Sequence, residues 1–510
     1  MKRIVCLLLI CALLPCLAAR AEGEAAPNWY EVFVRSYRDS DGDGLGDLRG
    51  LIEKLDYIRD MGWRGLWLMP VMPSPSYHKY DVTDYMDIDP EYGTMEDMRA
   101  LVAACHERDI LLIVDMPVNH TSTLHPWFLA ACEALRSGDE GGAYVDYYSF
   151  NREGGSGYTP LEDTGWYYEE QFQGGGMPDL NLDNPGVLSE INGIFDFWLN
   201  DVGVDGFRLD AVTSYFTGNA AKNVALLHQL KDMAEALKPG SYLVGECWAN
   251  LGTIAEYYGS GVDSFFLFPA AEAEGFIAAS MRARSKPAEK FAKGYQKVLD
   301  AIPDGLLAPF LCNHDTARTL GLVQGRENPV AAKFAQGLLG TLNGRVFTYY
   351  GDEVGMVGSG DDPNKRLAMP WADGDMTDQP PGVTSVEYPY PAVDAQLEDP
   401  DSLLNYVCAV NEARLRFPAI AEGANTFLLA EGNLCLMKRE TGEQTCLIAV
   451  NFSKKDAEQT DVGRCTIAAD LEAGEGAAAL DGTTLTLPPC GICVLQIGRA
   501  SCRERVCLYV

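Results

Sequence analysis

The chain of 510 residues carries a formal charge of −33, with ordinary apolar and aromatic content. That length buries a large core and spans two or three domains, and the composition excludes bulk disorder. The acidic balance excludes nucleic acid as a partner, because phosphates demand a basic surface, and it suits a neutral substrate that needs no charge steering.

The first elements are those of a secretory signal. Lys2 and Arg3 form a basic start, residues 4–17 a short apolar run, and Ala19-Arg20-Ala21 a small-x-small cleavage site. Residues 1–21 are therefore read as a signal peptide, and a secreted protein is expected. No apolar run is long enough to span a membrane, so no membrane partner is expected after cleavage. Cys6, Cys11 and Cys16 leave with the signal, and Cys105, Cys312 and Cys446 sit singly in apolar runs as buried thiols do. Cys490 and Cys493 form one C-x-x-C without a second pair, which is poor zinc spacing.

From there short β-rich runs alternate with segments of helical period. Strands are predicted at 30–34, 65–69, 110–114, 206–209, 242–245, 264–268, 308–311 and 346–350. Helices are predicted at 48–61, 95–108, 188–202, 223–237, 287–301, 329–342 and 402–417. Such βα repetition predicts an α/β fold, a (β/α)8 TIM barrel. One connection, from the third strand to the helix at 188, is about seventy residues long, and a loop of that length carries function or a small subdomain. After Phe417 only strands follow, as in an antiparallel β-domain. The division read from this is 22–119 and 186–418 for the barrel, 120–185 for an inserted B domain and 419–495 for a C-terminal β-domain. Residues 496–510 are read as a non-native tail, because IGRASCRERV at 497–506 resembles a translated sequencing adapter.

Barrel active sites lie at the C-terminal ends of the strands. Here the third strand ends in Asp115-Met116-Pro117-Val118-Asn119-His120, the fourth in Arg208-Leu209-Asp210, the fifth in Gly245-Glu246 and the seventh in His314-Asp315. One acid at a strand end is commonplace as a helix cap; four point to a shared site. Glycosidases flank the scissile bond with two carboxyls, and retention needs them about 5 Å apart. Neighbouring strands lie roughly 4.8 Å apart, so Asp210 and Glu246 can reach that spacing. Arg208, two residues from Asp210, would keep it ionised as a nucleophile. Glu246 lies between Gly245 and Cys247-Trp248, a less polar setting that suits a general acid. Asp315, across the barrel, would bind sugar hydroxyls.

The sequence resembles the α-amylase family, glycoside hydrolase family 13. DMPVNH at 115–120, GFRLDAV at 206–212, VGECW at 244–248 and FLCNHD at 310–315 match that family's principal motifs in order and spacing. MPDLN at 177–181, GLWLMPV at 65–71 and VFTYYGDE at 346–353 match accessory ones. The resemblance implies an α-glucan substrate and a retaining, endo-acting α-1,4 hydrolase, with exo-acting α-glucosidases, neopullulanases and glucosyl-transferring enzymes as alternatives. It makes Asp210 the nucleophile, Glu246 the acid/base and Asp315 the transition-state stabiliser, with Arg208 orienting Asp210. His120 and His314 would hydrogen-bond the sugar, and Tyr80 would stack on it with Asp81 alongside. His78, His106, His125 and His228 are read as structural. MPDLN is the form of an intermediate group in the family, and Ala211 after the nucleophile resembles α-1,4-specific members. Thr213-Ser214 departs from the Lys-His of many α-amylases, on the leaving-group side. A non-catalytic glucan-binding chain would be expected to lose carboxylates that here stand intact. A monomer is expected.

Asp39, Asp41, Asp43 and Asp47 occupy positions one, three, five and nine of an EF-hand-like loop, with Leu45 offering a carbonyl at seven; position twelve is Gly50 instead of a glutamate. Calcium is the expected cofactor there. The resemblance adds Asn119 and Asp179 as a possible second calcium pair.

Overall fold

The structure is a computed structural model that describes residues 27–497. The signal peptide and all but the first two residues of the expected tail lie outside the described residues.

In chain order the strands are β1 (Trp29–Val32), β2 (Gly65–Leu68), β3 (Leu111–Met116), β4 (Phe150–Asn151), β5 (Tyr158–Leu161), β6 (Trp166–Glu169), β7 (Gly206–Leu209), β8 (Tyr242–Gly245), β9 (Ser264–Phe265) and β10 (Phe347–Tyr349). They continue with β11 (Ala424–Glu431), β12 (Leu434–Glu440), β13 (Thr445–Asn451), β14 (Glu458–Asp461), β15 (Cys465–Leu471), β16 (Ala479–Asp481), β17 (Thr484–Leu487) and β18 (Ile492–Ile497). Seven pair in parallel in the order β10-β1-β2-β3-β7-β8-β9. The eighth staves the gap without a regular ladder. Phe266 and Ala308 form one parallel bridge, and the carbonyls of Ala308 and Pro309 accept from Leu267 and Phe347. The expected strand at 308–311 is thus only a bridge, because Pro309 has no N–H to donate. Together these strands curl into the (β/α)8 barrel.

Parallel strands buried on both faces read as continuous apolar runs. Leu66, Trp67, Leu68, Ile113, Val114, Phe207, Leu209, Leu243 and Val244 are fully buried on that pattern. The surrounding helices carry their own start signals. Thr94 and Asp97 form a reciprocal capping box on Met95–His106. Asn184 caps Pro185–Asp196, with Pro at the first turn. The expected helix 188–202 therefore begins three residues earlier, and its last turn, Phe197–Val202, widens into a π-helix closed by Gly203 in the left-handed region. The expected helix 48–61 divides at Lys54 into Leu48–Glu53 and Leu55–Asp60.

Between β3 and β7 stand the helix Pro126–Arg136 and a small antiparallel sheet, β4-β6-β5, tied back to the barrel by the His120–Asp179 and Tyr148–Leu180 bridges. After the helix Leu403–Arg416 come a five-stranded antiparallel sheet, β11-β12-β13-β18-β15, and a three-stranded one, β14-β17-β16. A second core, including Leu436, Leu447, Leu485, Leu487 and Leu495, fills the space between these sheets. Arg439 anchors β12 to the barrel through the carbonyl of Thr341, 2.6 Å away, and the Tyr295 hydroxyl at 3.0 Å. Strand β18 runs to Ile497, which pairs with Cys465, two residues past the expected end of the native fold. Among the described residues no helix is long and apolar enough to cross a membrane.

Candidate active site

A cleft of about 410 Å³ opens at the C-terminal ends of the barrel strands, lined by His78, Tyr80, His120, Phe172, Met177, Asp210, Ala211, Glu246, Trp248, Asp315, Asp362 and Arg366. Strand register brings two of the acids level. Leu209 on β7 pairs with Gly245 on β8, so Asp210 and Glu246 each stand one residue beyond the same rung. Gly245 is required there, since a Cβ would lie 2.5 Å from the ring of Phe265. Beyond Asp210 the chain turns sharply. Ala211 adopts φ 44, a left-handed conformation rare for a residue with a Cβ, and its amide donates to Glu246 Oε2 at 3.0 Å.

Arg208 is fully buried beneath this pair. Its Nη1 donates to Asp210 Oδ1 at 2.5 Å and to Asp115 Oδ1 at 2.7 Å, and its Nη2 lies 3.0 Å from Glu246 Oε1. One guanidinium therefore faces three carboxyl groups. Burial, with the charges of Asp210 and Asp315, pushes Glu246 up to about 7 against the pull of Arg208. Burial likewise pushes Asp115 up to about 7, with Arg208 opposing and Asp210 adding to the rise. A site with one cation and three acids favours retaining a proton.

The opposite wall is electrostatically different. Burial alone would neutralise His314, but Asp315 and Glu31 raise it to about 10, so it is an imidazolium at neutral pH. Its Nδ1 donates to Glu31 Oε1 at 2.5 Å and its Nε2 lies 3.0 Å from Asp315 Oδ2. Arg366 Nη2 donates to Asp315 Oδ1 at 2.9 Å. Burial works against the charge of Asp315, yet His314 and Arg366 outweigh it and hold the carboxyl well below the usual range. Tyr80 joins the two walls: its hydroxyl donates to Asp115 Oδ2 at 2.9 Å and lies 2.7 Å from His314 Nε2, while its ring stacks on the imidazole.

The structure brings together Tyr80, His120, Asp210, Glu246 and Asp315 on the cleft surface, with Arg208 and His314 directly behind. His120 Nε2 is buried without a partner, and burial keeps the ring neutral. Asp81 stands elsewhere than expected. It is buried behind the cleft residue His78, whose Nδ1 lies 3.9 Å from its Oδ1, and the hydroxyls of Ser74 and Ser76 donate to that same oxygen. His78, read from sequence as structural, lines the cleft. Its Nδ1 also accepts from the Tyr80 amide at 3.2 Å. Sequence marks Asp115 only as one of the four strand-end acids, without a role, and gives no signal for Glu31 or Arg366. Nor does it single out Phe172 and Trp248, whose exposed rings border the cleft; Trp248 is 50% exposed and stacks on Phe268.

In the acidic loop, carboxylate oxygens of Asp39, Asp41 and Asp43 all lie within 4.8 Å of one another. Hard oxygen donors so gathered fit calcium. Burial raises Asp39, but the amides of Gly42, Gly44 and Asp41 outweigh it and lower the carboxyl below its ordinary value, which keeps it ionised. Asp47 is outside this trio. Its Oδ1 accepts from Ser40 Oγ and Gly50 N and its Oδ2 from Ser40 N, so it caps the helix Leu48–Glu53. The amide of Leu45 donates to Asp43 Oδ1 at 2.7 Å. Asn119 and Asp179 do meet, but as a hydrogen bond of 3.0 Å from Asn119 Nδ2 to Asp179 Oδ1. Burial and nearby Glu169 push Asp179 up to about 7, against the amides of Gln171 and Asn119, which donate to it.

The family model described as alpha amylase, catalytic domain, matches residues 31–423. Alpha-amylase 3 of Dictyoglomus thermophilum is 39% identical over 440 residues, 84% of this chain and 84% of that protein. Trehalose synthase/amylase TreS of Mycobacterium tuberculosis is 34% identical over 478 residues, 78% of this chain and 77% of that protein. Among solved structures, Eubacterium rectale Amy13B superposes with a TM-score of 0.88 at 40% identity, covering 93% of this chain and 96% of that one.

Proposed function

This chain belongs to the alpha-amylase family and is a glycoside hydrolase, and from that premise we propose that it is a secreted, endo-acting enzyme that cleaves α-1,4-glucosidic bonds with retention. The observation that carries the reading is the pair Asp210 and Glu246, level on adjacent strands and sharing the two terminal nitrogens of Arg208. Two carboxyls on one planar guanidinium suit the roughly 5 Å spacing of retaining enzymes.

In this mechanism Glu246 holds the proton and delivers it to the glycosidic oxygen as the C1–O bond breaks. Asp210 closes on C1 to form the glycosyl ester. The leaving glucan departs, and Glu246, now a carboxylate, takes a proton from the water that attacks C1 and releases Asp210. Asp315, kept anionic by His314 and Arg366, binds ring hydroxyls and stabilises the cationic ring. His120 offers its unpartnered Nε2 to the same sugar, and Tyr80 supplies a face for stacking. Calcium belongs to the reading as a structural ion. Asp39, Asp41 and Asp43 would hold it, and it would neutralise their repulsion and fix the loop after β1, away from the bond that breaks. Secretion is proposed from the basic and apolar start of the chain at residues 1–21.

Digestion of soluble starch, maltotriose and pullulan, with proton NMR of the nascent reducing end, tests the proposal. Mixed malto-oligosaccharides appearing first, as the α-anomer, are expected. Glucose alone from chain ends would replace endo with exo action, transfer products would make the enzyme a transglycosylase, and an initial β-anomer would overturn the mechanism.

A further inference from the structure

Between the two cleft residues His78 and Tyr80 stands a residue that points the other way. Lys79 has φ 66, in the left-handed region where a side chain is strained, and is only 3% exposed. Its ammonium lies 2.8 Å from Asp89 Oδ2 and 2.8 Å from Glu91 Oε2. Asp89 is itself fixed, accepting at Oδ2 from the amide of Ser74 and at Oδ1 from that of Glu91. The backbone on either side is closed locally. The Lys79 amide donates to Ser76 Oγ, and that of Tyr80 to His78 Nδ1.

The pair of buried Lys79 with buried Asp89 is held more tightly than a surface ion pair, because little water competes for it, and the half-exposed Glu91 adds a second contact. An unfavourable backbone conformation persists only where its surroundings over-determine it. We propose that Lys79 is a positioning residue: its clamped ammonium holds residues 76–80 in the left-handed turn that presents His78 and Tyr80 to the cleft together. Ser74 and Ser76 also bind Asp81 Oδ1, but those bonds stay within residues 74–81, whereas Lys79 reaches across to Asp89 and Glu91. Tyr80 in turn reaches Asp115 and His314, so a shift of the turn reaches both walls of the site. A displacement of about 1 Å in a positioning group can cost up to a hundredfold in rate.

This inference rests on the reading of Tyr80 as a sugar-stacking group. Its test therefore includes maltotriose binding by calorimetry in an Asp210→Asn background, where turnover is suppressed, beside kcat and KM on maltotriose in the active protein, all well below the melting temperature. Lys79→Met is expected to weaken binding and lower kcat/KM by about tenfold or more per folded molecule. Lys79→Arg, which keeps the cation, restores most of both. Lys79→Gly separates clamp from backbone: it relieves the strained φ but removes the ammonium, and is expected to behave as Met does. The double variant Lys79→Met with Asp89→Asn removes the orphaned buried charge, so its folding and its cleft are read independently of that cost. A purely structural lysine would lower the melting temperature and leave kcat, KM and maltotriose affinity of the folded fraction unchanged, and that result in Met, Gly and the double variant overturns the proposal. Wild-type protein that binds maltotriose without cleaving it would overturn the hydrolase reading instead, with the binding comparison still deciding the role of Lys79.

Discussion

The alkaline limit of the enzyme is expected to follow the protonation of Glu246. Its carboxyl is largely buried in the wall of the cleft, and burial is the largest influence on it. Two contacts favour the ionised form: the Ala211 amide at Oε2 and Arg208 beside Oε1. Asp210 and Asp315 act in the opposite sense, and the balance lifts the group from 4.5 to about 7. That rise corresponds to roughly 3 kcal/mol of preference for the acid form over an exposed glutamate. Only the protonated form can donate to the leaving oxygen, so activity follows the protonated fraction. About nine tenths of the molecules are competent at pH 6 and about a tenth at pH 8, with a tenfold loss per further unit. The assay is kcat/KM on maltotriose from pH 5 to 9, because that ratio titrates the free enzyme described here. A slope of −1 with a midpoint near 7 is expected. A profile flat to pH 9, with folding intact, would refute the assignment of the acid, since a proton held by burial must be lost in that range.

Three other outcomes are expected. Asp210→Asn should lower starch hydrolysis by roughly a thousandfold or more in folded protein, because the covalent step disappears; near-normal turnover would transfer the nucleophile's role elsewhere. Chelation should lower the melting temperature of the wild type, with calcium at a thousandfold excess over its dissociation constant contributing roughly 4 kcal/mol. Asp41→Ala with Asp43→Ala should abolish that response and, without metal, match or exceed the wild type, since repulsion within the acidic trio is gone; calorimetry with calcium and with chelator checks both signs. Glu353 offers a test of stability apart from activity. Burial pushes it up to about 7, the hydroxyls of Tyr30 and Tyr57 donate to its Oε1, and its Oε2 has no partner. A carboxyl raised in the fold contributes stability fully present below its unfolded value of 4.5 and lost as pH rises through about 7. Glu353→Gln should therefore gain about 3 kcal/mol on the wild type between pH 4.5 and 8, or roughly 3 °C for a fold of this size. Parallel pH profiles of the two proteins by calorimetry would mean that Glu353 is not held neutral.

What the sequence makes legible is whatever a local rule can express. Asp210, Glu246 and Asp315 stand out because an acid ending an apolar strand contradicts core design unless a site requires it. The same logic marks Asp115, which ends the third strand, but assigns it no role; the structure shows that it shares Arg208 with the nucleophile. Asp81 misleads for the converse reason. Its motif neighbours the stacking tyrosine, but whether a carboxylate faces sugar or protein depends on Ser74 and Ser76, which fold over it. Asp47 carries two compatible signals, ligand spacing and helix cap, and the structure shows the cap, with the amide of Gly50 and both donor groups of Ser40 on its carboxylate. Arg366 has no local signature at all. It reaches Asp315 only because the chain returns past β10 to the same rim, and no period or spacing encodes that return. The same limit applies to Phe172 and Trp248, whose loops leave different strands before facing one cleft. Sequence thus specifies the groups that strands deliver directly, while the partners that set their charge come from across the barrel. Chemistry at Glu246 depends on both kinds: β8 places the carboxyl, and its burial beside Asp210 on β7 and Asp315 across the barrel outweighs Arg208 and lets it keep its proton.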